Sequence, residues 1–172
     1  MKTILLLFAV ASVCAFAQTR NPVSTVLRDT LAGRTKNTVA AFQEMPADKF
    51  DFKPTPDQMS FGHLAAHVVQ SNYYFCANVG DVPQPKPEEL NGSEGKDKLV
   101  AAVQASFDFC ATALAKADDS KLGDSIEGFD GKPRSRAWAF LALFGSWADH
   151  YGAAAMYLRL NGLLPPTAQP TK

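Results

Sequence analysis

Hydrophobic and polar positions follow a helical period through four long stretches of the chain. The last, Ser135 to Gly162, contains no proline and is long enough for about seven helical turns. Its residues that step by four and three share one face, namely Ala139, Leu143, Ser146, His150, Ala153, Tyr157 and Leu160. That face is apolar except at Ser146 and His150. We therefore expect His150 to be either a hydrogen-bonded core residue or a ligand.

The same periodicity predicts three earlier helices. Asn21 as the cap and Pro22 as the first helical residue begin the first one. Ser60 is a good cap for the second, over about residues 61–79, and the third covers about residues 96–117. Four helices in one domain predict an all-α fold, a four-helix bundle with long interhelix connections.

The N-terminal residues have the pattern of a targeting segment. A positive start at Lys2 precedes an apolar run over residues 4–13, which is too short to span a bilayer, and Ala15-Phe16-Ala17 has the small-x-small form of a cleavage site. We therefore predict a signal peptide over residues 1–17 and an exported protein, periplasmic or secreted after cleavage near Ala17. No later segment is apolar enough to predict a membrane span.

Composition narrows the choice of partners for the cleaved chain. Removing 17 of 172 residues leaves about 155, which suits one domain with a real core. Loss of Lys2 leaves 16 basic against 17 acidic residues, a balance that argues against a nucleic-acid or membrane-surface partner. We expect one domain over residues 18–164 and a disordered tail over residues 165–172.

Two cysteines remain after the predicted cleavage. Cys76 lies on the second predicted helix and Cys110 on the third. An even number of cysteines in an oxidising compartment most often pairs. We therefore predict a Cys76–Cys110 disulfide, with two buried free thiols as the alternative.

Two segments resemble the DinB-like family of helical proteins, the YfiT-type family. Residues 45–76, MPADKFDFKPTPDQMSFGHLAAHVVQSNYYFC, resemble its first signature, in which a proline-rich connector and a Ser precede a helix that carries a His, here His67. Residues 143–166, LFGSWADHYGAAAMYLRLNGLLPP, resemble its second, in which His-x3-His-Tyr-Gly precedes a Tyr-Leu-Arg-like run. The resemblance spans nearly the whole cleaved chain and implies a four-helix bundle.

The resemblance also implies a metal site. Many members of the family look like metalloproteins in which three His hold a divalent metal, and some are metal-dependent transferases that use a thiol cofactor. Carried over, the three positions are His67, residue 146 and His150. Residue 146 is Ser, so one ligand of the family pattern is absent. The resemblance also leaves a homodimer open.

His63 offers a replacement for the missing ligand. It stands four residues before His67, so on a helix their Cβ atoms would lie about 6 Å apart on one face. A rearranged triad of His63, His67 and His150 could hold zinc, nickel or iron, with Asp149 and Ser146 as outer partners. The alternative leaves His63 exposed, with His67 and His150 bonded to each other or to Ser146.

Two functions therefore stay open. The first is an exported DinB-like binding or structural module for an unknown small molecule, with an incomplete three-His motif. The second is a metal-dependent transferase or hydrolase that uses His63, His67 and His150. Ser146 favours the first. The sequence contains no Gly-x-Ser-x-Gly elbow, no phosphate-binding Gly loop and no Cys-x2-Cys pattern, so it indicates neither a catalytic nucleophile nor an organic cofactor.

Overall fold

The computed structural model describes residues 21–170, so the predicted signal peptide lies outside the described residues. The main elements in chain order are α1 (Pro22–Glu44), α2 (Phe61–Gly80), α3 (Lys96–Leu114), β1 (Ser125–Glu127), β2 (Pro133–Ser135) and α4 (Arg136–Leu160). The four helices form a bundle, and the predicted all-α fold with long interhelix connections is confirmed. Within residues 21–170, no helix combines the length and apolar character needed to cross a membrane.

Two of the predicted helix caps form as expected. The Ser60 hydroxyl accepts a hydrogen bond from the backbone N–H of His63 at 3.1 Å, and that of Ser135 accepts one from Trp138 at 3.4 Å. At the other end of α4, Gly162 adopts a left-handed φ of 74°. The bounds of α2 and α4 are therefore set by local sequence.

The first helix is capped differently from the prediction. Asn21 has a left-handed φ of 57° and its side chain makes no capping hydrogen bond to α1. The carboxylate of Asp119 accepts hydrogen bonds from the backbone N–H groups of Val23 at 2.7 Å and Ser24 at 2.9 Å. Because this carboxylate comes from the α3–α4 connection, it caps α1 and also ties that connection to the bundle.

The core lies between the four helices, and α2 is the most buried of them. Fourteen of its 20 residues are buried, because it packs against both α3 and α4. The largest fully buried side chains come from all four helices and from the α1–α2 connection, and include Phe42, Met45, Phe61, Leu99, Phe107, Phe140 and Trp147.

A buried polar network joins three of the helices. The indole N–H of Trp147 donates to Asn72 Oδ1 at 3.0 Å, and Asn72 Nδ2 donates to Ser106 Oγ at 2.9 Å. The Ser106 hydroxyl donates in turn to the carbonyl of Val103 at 2.7 Å. Asn72 is completely buried, so these bonds satisfy polar groups that water cannot reach.

The predicted cysteine pair is brought together in the same layer of the core. Cys76 on α2 and Cys110 on α3 are both fully buried, with Cα atoms 5.1 Å apart and sulfur atoms at disulfide-bonding distance. The pair links the two helices that share the largest interface in the bundle.

The buried face of α4 differs from the predicted stripe. Leu143 and Tyr157 are buried as expected, but Leu160 is 56% exposed and the stripe continues instead through Trp147 and Leu158. Alternating steps of three and four average about 3.5 residues per turn, whereas a straight helix has about 3.6. The predicted stripe therefore shifts around the helix over the 25 residues of α4. Ser146 and His150 consequently lie half-buried at the edge of the core instead of in its middle.

Two further segments add structure outside the four helices. The α3–α4 connection contains the antiparallel β1–β2 hairpin, which we did not predict. After α4, residues 166–168 form a 3₁₀ turn, and the hydroxyls of Tyr151 and Thr167 lie 2.8 Å apart. The paired prolines restrict the backbone here, and this hydroxyl pair holds the segment against α4.

We predict that Asn72→Ala destabilises the protein by about 2–4 kcal/mol, because it leaves the Trp147 N–H buried without an acceptor and opens a small cavity. Urea unfolding followed by circular dichroism measures the change. Asn78→Ala on the same helix is the matched control, and since Asn78 Nδ2 bonds only the nearby Tyr74 carbonyl, its loss should stay below about 1 kcal/mol. Equal losses in the two variants would contradict a special role for Asn72.

We predict that neither Cys76 nor Cys110 reacts with maleimide in the unfolded, unreduced chain that starts after Ala17, and that both react after reduction. Closing a loop of 34 residues stabilises the folded state by about 3–4 kcal/mol in the chain-entropy estimate. Mass spectrometry counts the labels. Cys110→Ala, which frees one thiol, is the control, and two labels on unreduced wild type would show that the bridge is absent.

Candidate functional site

Two of the three predicted histidines meet between α2 and α4. The ring centroids of His67 and His150 lie 4.9 Å apart, with the ring planes at 79°. Ser146, one turn before His150 on α4, places its hydroxyl oxygen 3.3 Å from His150 Nδ1. The residues at the three positions that the family resemblance singled out therefore gather at one place.

These residues line an open surface groove of about 360 Å³ between the two helices, the α2–α4 groove. Its lining combines polar, aromatic and small residues, namely His67, Ser71, Phe75, Phe129, Ala142, Gly145, Ser146, Asp149 and His150. His67 is exposed and His150 half-buried, so molecules from solvent can reach both rings.

His63 does not join this group. Its side chain is exposed at the start of α2 and is not among the groove's lining residues. The loop before α3 packs closely here, since a Cβ on Gly92 would lie 2.3 Å from the backbone nitrogen of His63. Of the predicted site residues, the structure thus brings together His67, Ser146, Asp149 and His150, and leaves His63 outside the groove.

Desolvation favours the neutral form of both groove imidazoles, the half-buried His150 and the exposed His67. Desolvation, reinforced by the neighbouring His67, lowers the pKa of His150 to about 4, although the Asp149 carboxylate acts in the opposite direction. Desolvation and the nearby His63 also lower the pKa of His67. A neutral imidazole presents one N–H donor and one bare nitrogen acceptor, so each ring can form both kinds of hydrogen bond.

The β1–β2 hairpin supplies an aromatic wall that the sequence analysis did not assign to the site. Phe129, at the hairpin tip, is 65% exposed, yet its ring stacks on Tyr74 at 3.8 Å and meets Phe75 edge-on at 5.1 Å. The Tyr74 hydroxyl donates to the carbonyl of Glu127 at 2.5 Å and holds the hairpin on α2. The turn residues Gly128 and Gly131 between two short strands were the signal that could have predicted this hairpin.

The donor set of the groove does not fit a three-ligand metal centre. A catalytic zinc site needs three protein ligands, whereas the groove offers two imidazoles, the short side chain of Ser146 and the exposed Asp149 carboxylate, which is not grouped with both rings as a ligand. The Ser146 oxygen lies against His150 Nδ1 and cannot extend as an imidazole does. Among residues 21–170, no three His, Cys, Asp or Glu side chains are grouped so that they could hold a metal ion.

Comparison with known proteins gives a family and a fold. The sequence profile described as the DinB superfamily matches residues 30–154. A DinB-like protein from Bacillus subtilis has a similar structure, with a TM-score of 0.65 over 85% of this chain and 99% of that chain at 16% identity. A DinB-like protein from Bacillus cereus gives 0.66 over 80% and 92% at 15% identity. No curated protein matches the chain.

We predict that the protein loses stability as the pH falls from about 6.5 to about 4. The folded state keeps His150 neutral down to a pKa of about 4, whereas the unfolded chain takes up that proton near the ordinary value of 6.5. The unfolded state therefore binds more protons in this window, and the loss from His150 reaches at most about 3 kcal/mol. Urea unfolding at a series of pH values measures it.

The matched control for this pH dependence is His150→Gln, which keeps a polar side chain without the titration. Its stability should fall less than that of wild type over the same window, because proton uptake at residue 150 is removed. Parallel pH profiles for the two proteins would contradict a depressed pKa at His150.

We predict that Ser146→His raises zinc affinity at least about tenfold, because a third imidazole leaves the open fourth position that zinc favours. The gain should fade below about pH 6, since only neutral imidazole binds the metal. Calorimetric titration with zinc compares wild type, Ser146→His and the control Ser146→Ala, which removes the hydroxyl without adding a ligand. If Ser146→His binds no better than wild type, the three positions do not converge as we describe.

Proposed function

The chain belongs to the DinB superfamily, and from that premise we propose that it is an exported binding module whose α2–α4 groove holds a small organic molecule. The observation that carries the proposal is the hydroxyl of Ser146 beside His150 Nδ1, at the position where the family resemblance implies a third metal ligand. The site keeps two imidazoles but lacks the donor set of a catalytic metal centre.

The shape and lining of the groove support binding. Its volume of about 360 Å³ lies near the lower end of the range for small-molecule sites, roughly 300–1,000 Å³. Such sites combine apolar walls with a few converging polar groups, and this groove has Phe75 and Phe129 beside His67, Ser146 and His150. Apart from the exposed Asp149 carboxylate, these hydrogen-bonding groups are two imidazoles and a hydroxyl, which favour orientation of a neutral ligand over capture of an ion.

The alternative is a metal-dependent transferase or hydrolase that uses His63, His67 and His150. It requires the exposed His63 side chain to turn into the groove, and nothing among the described contacts holds it there. Among the described residues, no other His, Cys, Asp or Glu side chain is grouped with His67 and His150 so that it could act as the third ligand. The measurement of bound metal described below tests this alternative.

Export is the second part of the proposal. The predicted signal peptide over residues 1–17 supports it, and so do the two sulfur atoms of Cys76 and Cys110 at bonding distance, since disulfides persist in oxidising compartments. N-terminal sequencing of protein recovered from the periplasm of an expressing bacterium tests this part. A chain that begins at Gln18 is expected, and an intact Met1 in the cytoplasmic fraction would contradict it.

We predict that wild-type protein purified from the periplasm contains far less than one zinc, nickel or iron ion per chain, because the groove lacks a third ligand. Mass spectrometry of the metals, before and after treatment with a chelator, measures the content, and Ser146→His purified in the same way is the positive control. Stoichiometric metal in wild type that is lost in His63→Ala would overturn the proposal in favour of the metal-dependent enzyme.

We predict that at least one fragment in a mixed library of neutral, acidic and basic small molecules binds saturably in the groove. Backbone ¹H–¹⁵N spectra report the site, and shifts are expected at Gly145, Ser146 and His150. The Ser120–Lys121 turn, remote in sequence from both helices, serves as an internal control that should not shift. A library without any groove binder would overturn the proposed binding function.

A further inference from the structure

Gly145 stands in the interior of α4 without a steric reason for being glycine. Glycine weakens a helix relative to alanine, so an interior glycine calls for an explanation. A Cβ built on Gly145 would meet no atom within 4 Å, and the residue lines the α2–α4 groove. The space that a side chain would occupy is therefore part of the groove. Gly152 on the same helix also has open space around it but lies outside the groove.

Phe129 gives the same groove a flat apolar wall. The ring is 65% exposed, which is unusual for a phenylalanine held by other aromatic rings. It is nevertheless kept in place, because the ring stacks on Tyr74 and the backbone N–H of Gly128 closes the hairpin on the carbonyl of Lys132 at 2.8 Å. A fixed, exposed aromatic face beside open space favours a planar ligand that can stack on it.

The polar end of the groove suits an uncharged group that forms hydrogen bonds. His67, His150 and Ser146 line this end together, and the Ser146 hydroxyl oxygen lies 3.3 Å from His150 Nδ1. Asp149, a carboxylate in the lining, repels anions, and because it is exposed, solvent screens its attraction for cations. Imidazole and hydroxyl groups best match a group that both donates and accepts a hydrogen bond, which is what a hydroxyl does.

We propose that the α2–α4 groove binds an uncharged aromatic alcohol of the phenol class. The ring lies in the space left by Gly145 and against Phe129, and the hydroxyl bonds with the imidazoles of His67 and His150. This inference rests on the binding function proposed above and names its ligand class.

The probe that tests the ligand class is p-cresol, which is uncharged at pH 7.5 because phenols titrate near pH 10. Three relatives of similar size change one property each. The relative 4-methylcyclohexanol removes the aromatic ring, 4-methylbenzoate carries a negative charge and 4-methylbenzylamine carries a positive charge. Titrations followed by ¹H–¹⁵N spectra of the chain that starts after Ala17 should show p-cresol binding at least about tenfold tighter than each relative.

Two substitutions on one helix test the position of the ring. Gly145→Leu fills the open space and should weaken p-cresol binding at least about tenfold, whereas Gly152→Leu, the matched control, should leave it unchanged. Both variants remain good helix formers, and circular dichroism verifies their fold. Phe129→Ala removes the wall and should weaken binding as Gly145→Leu does.

Three results would overturn the ligand class. In the first, 4-methylcyclohexanol binds as tightly as p-cresol. In the second, either charged relative binds more tightly than p-cresol. In the third, Gly145→Leu and Gly152→Leu lose the same amount of p-cresol affinity. In the first two cases a molecule still binds in the groove, so the proposed binding function stands while the phenol class fails. In the third case p-cresol does not bind at Gly145, and the shifts caused by the other fragments decide whether the binding function stands. If p-cresol and the whole fragment library leave the groove residues unshifted, both proposals fail together.

Discussion

The hydrogen bond between Trp147 and Asn72 fixes how α4 is turned against α2, and the groove depends on that orientation. At 100° per residue, Ser146 and His150 lie about 100° and 60° from Trp147 on the same side of α4. Because the indole is anchored in the core at 3.0 Å from Asn72, both residues must lie at the edge of the helix interface. His67, about 140° around α2 from Asn72, must lie at the surface for the same reason.

This orientation also sets the chemistry of the histidines. A ring at the edge of an interface is buried enough to disfavour its charged form, yet open enough to meet a molecule from solvent. The pKa of His150 falls to about 4 on these grounds, while Asp149 at the rim opposes the shift only in part. Two neutral rings 4.9 Å apart can coexist without charge repulsion, which two imidazolium groups at that distance could not.

The parts of the structure that depend on local sequence could be predicted. The caps at Ser60 and Ser135 follow from side chains that bond within the same turn. The pairing of Cys76 with Cys110 is not local, but it followed from the number of cysteines left after the predicted cleavage. The cap of α1 could not be predicted, because the group that accepts its hydrogen bonds, the Asp119 carboxylate, lies 95 or more residues away in sequence. The half-buried positions of Ser146 and His150 likewise depend on the hydrogen bond between Trp147 and Asn72, which helical periodicity does not reveal.

The family resemblance implies an imidazole at residue 146, and the hydroxyl found there differs from it in more than the number of ligands. Ser146 can donate to His150 Nδ1 or accept from it, since a hydroxyl rotates freely between the two roles. When Ser146 donates to Nδ1, Nε2 carries the proton and is a donor, and when Ser146 accepts from Nδ1, Nε2 is a bare acceptor. His150 can therefore offer the groove either a donor or an acceptor. A histidine held by a metal has one nitrogen committed to the ion and loses this freedom, whereas Ser146 and His150 form an adaptable hydrogen-bonding pair.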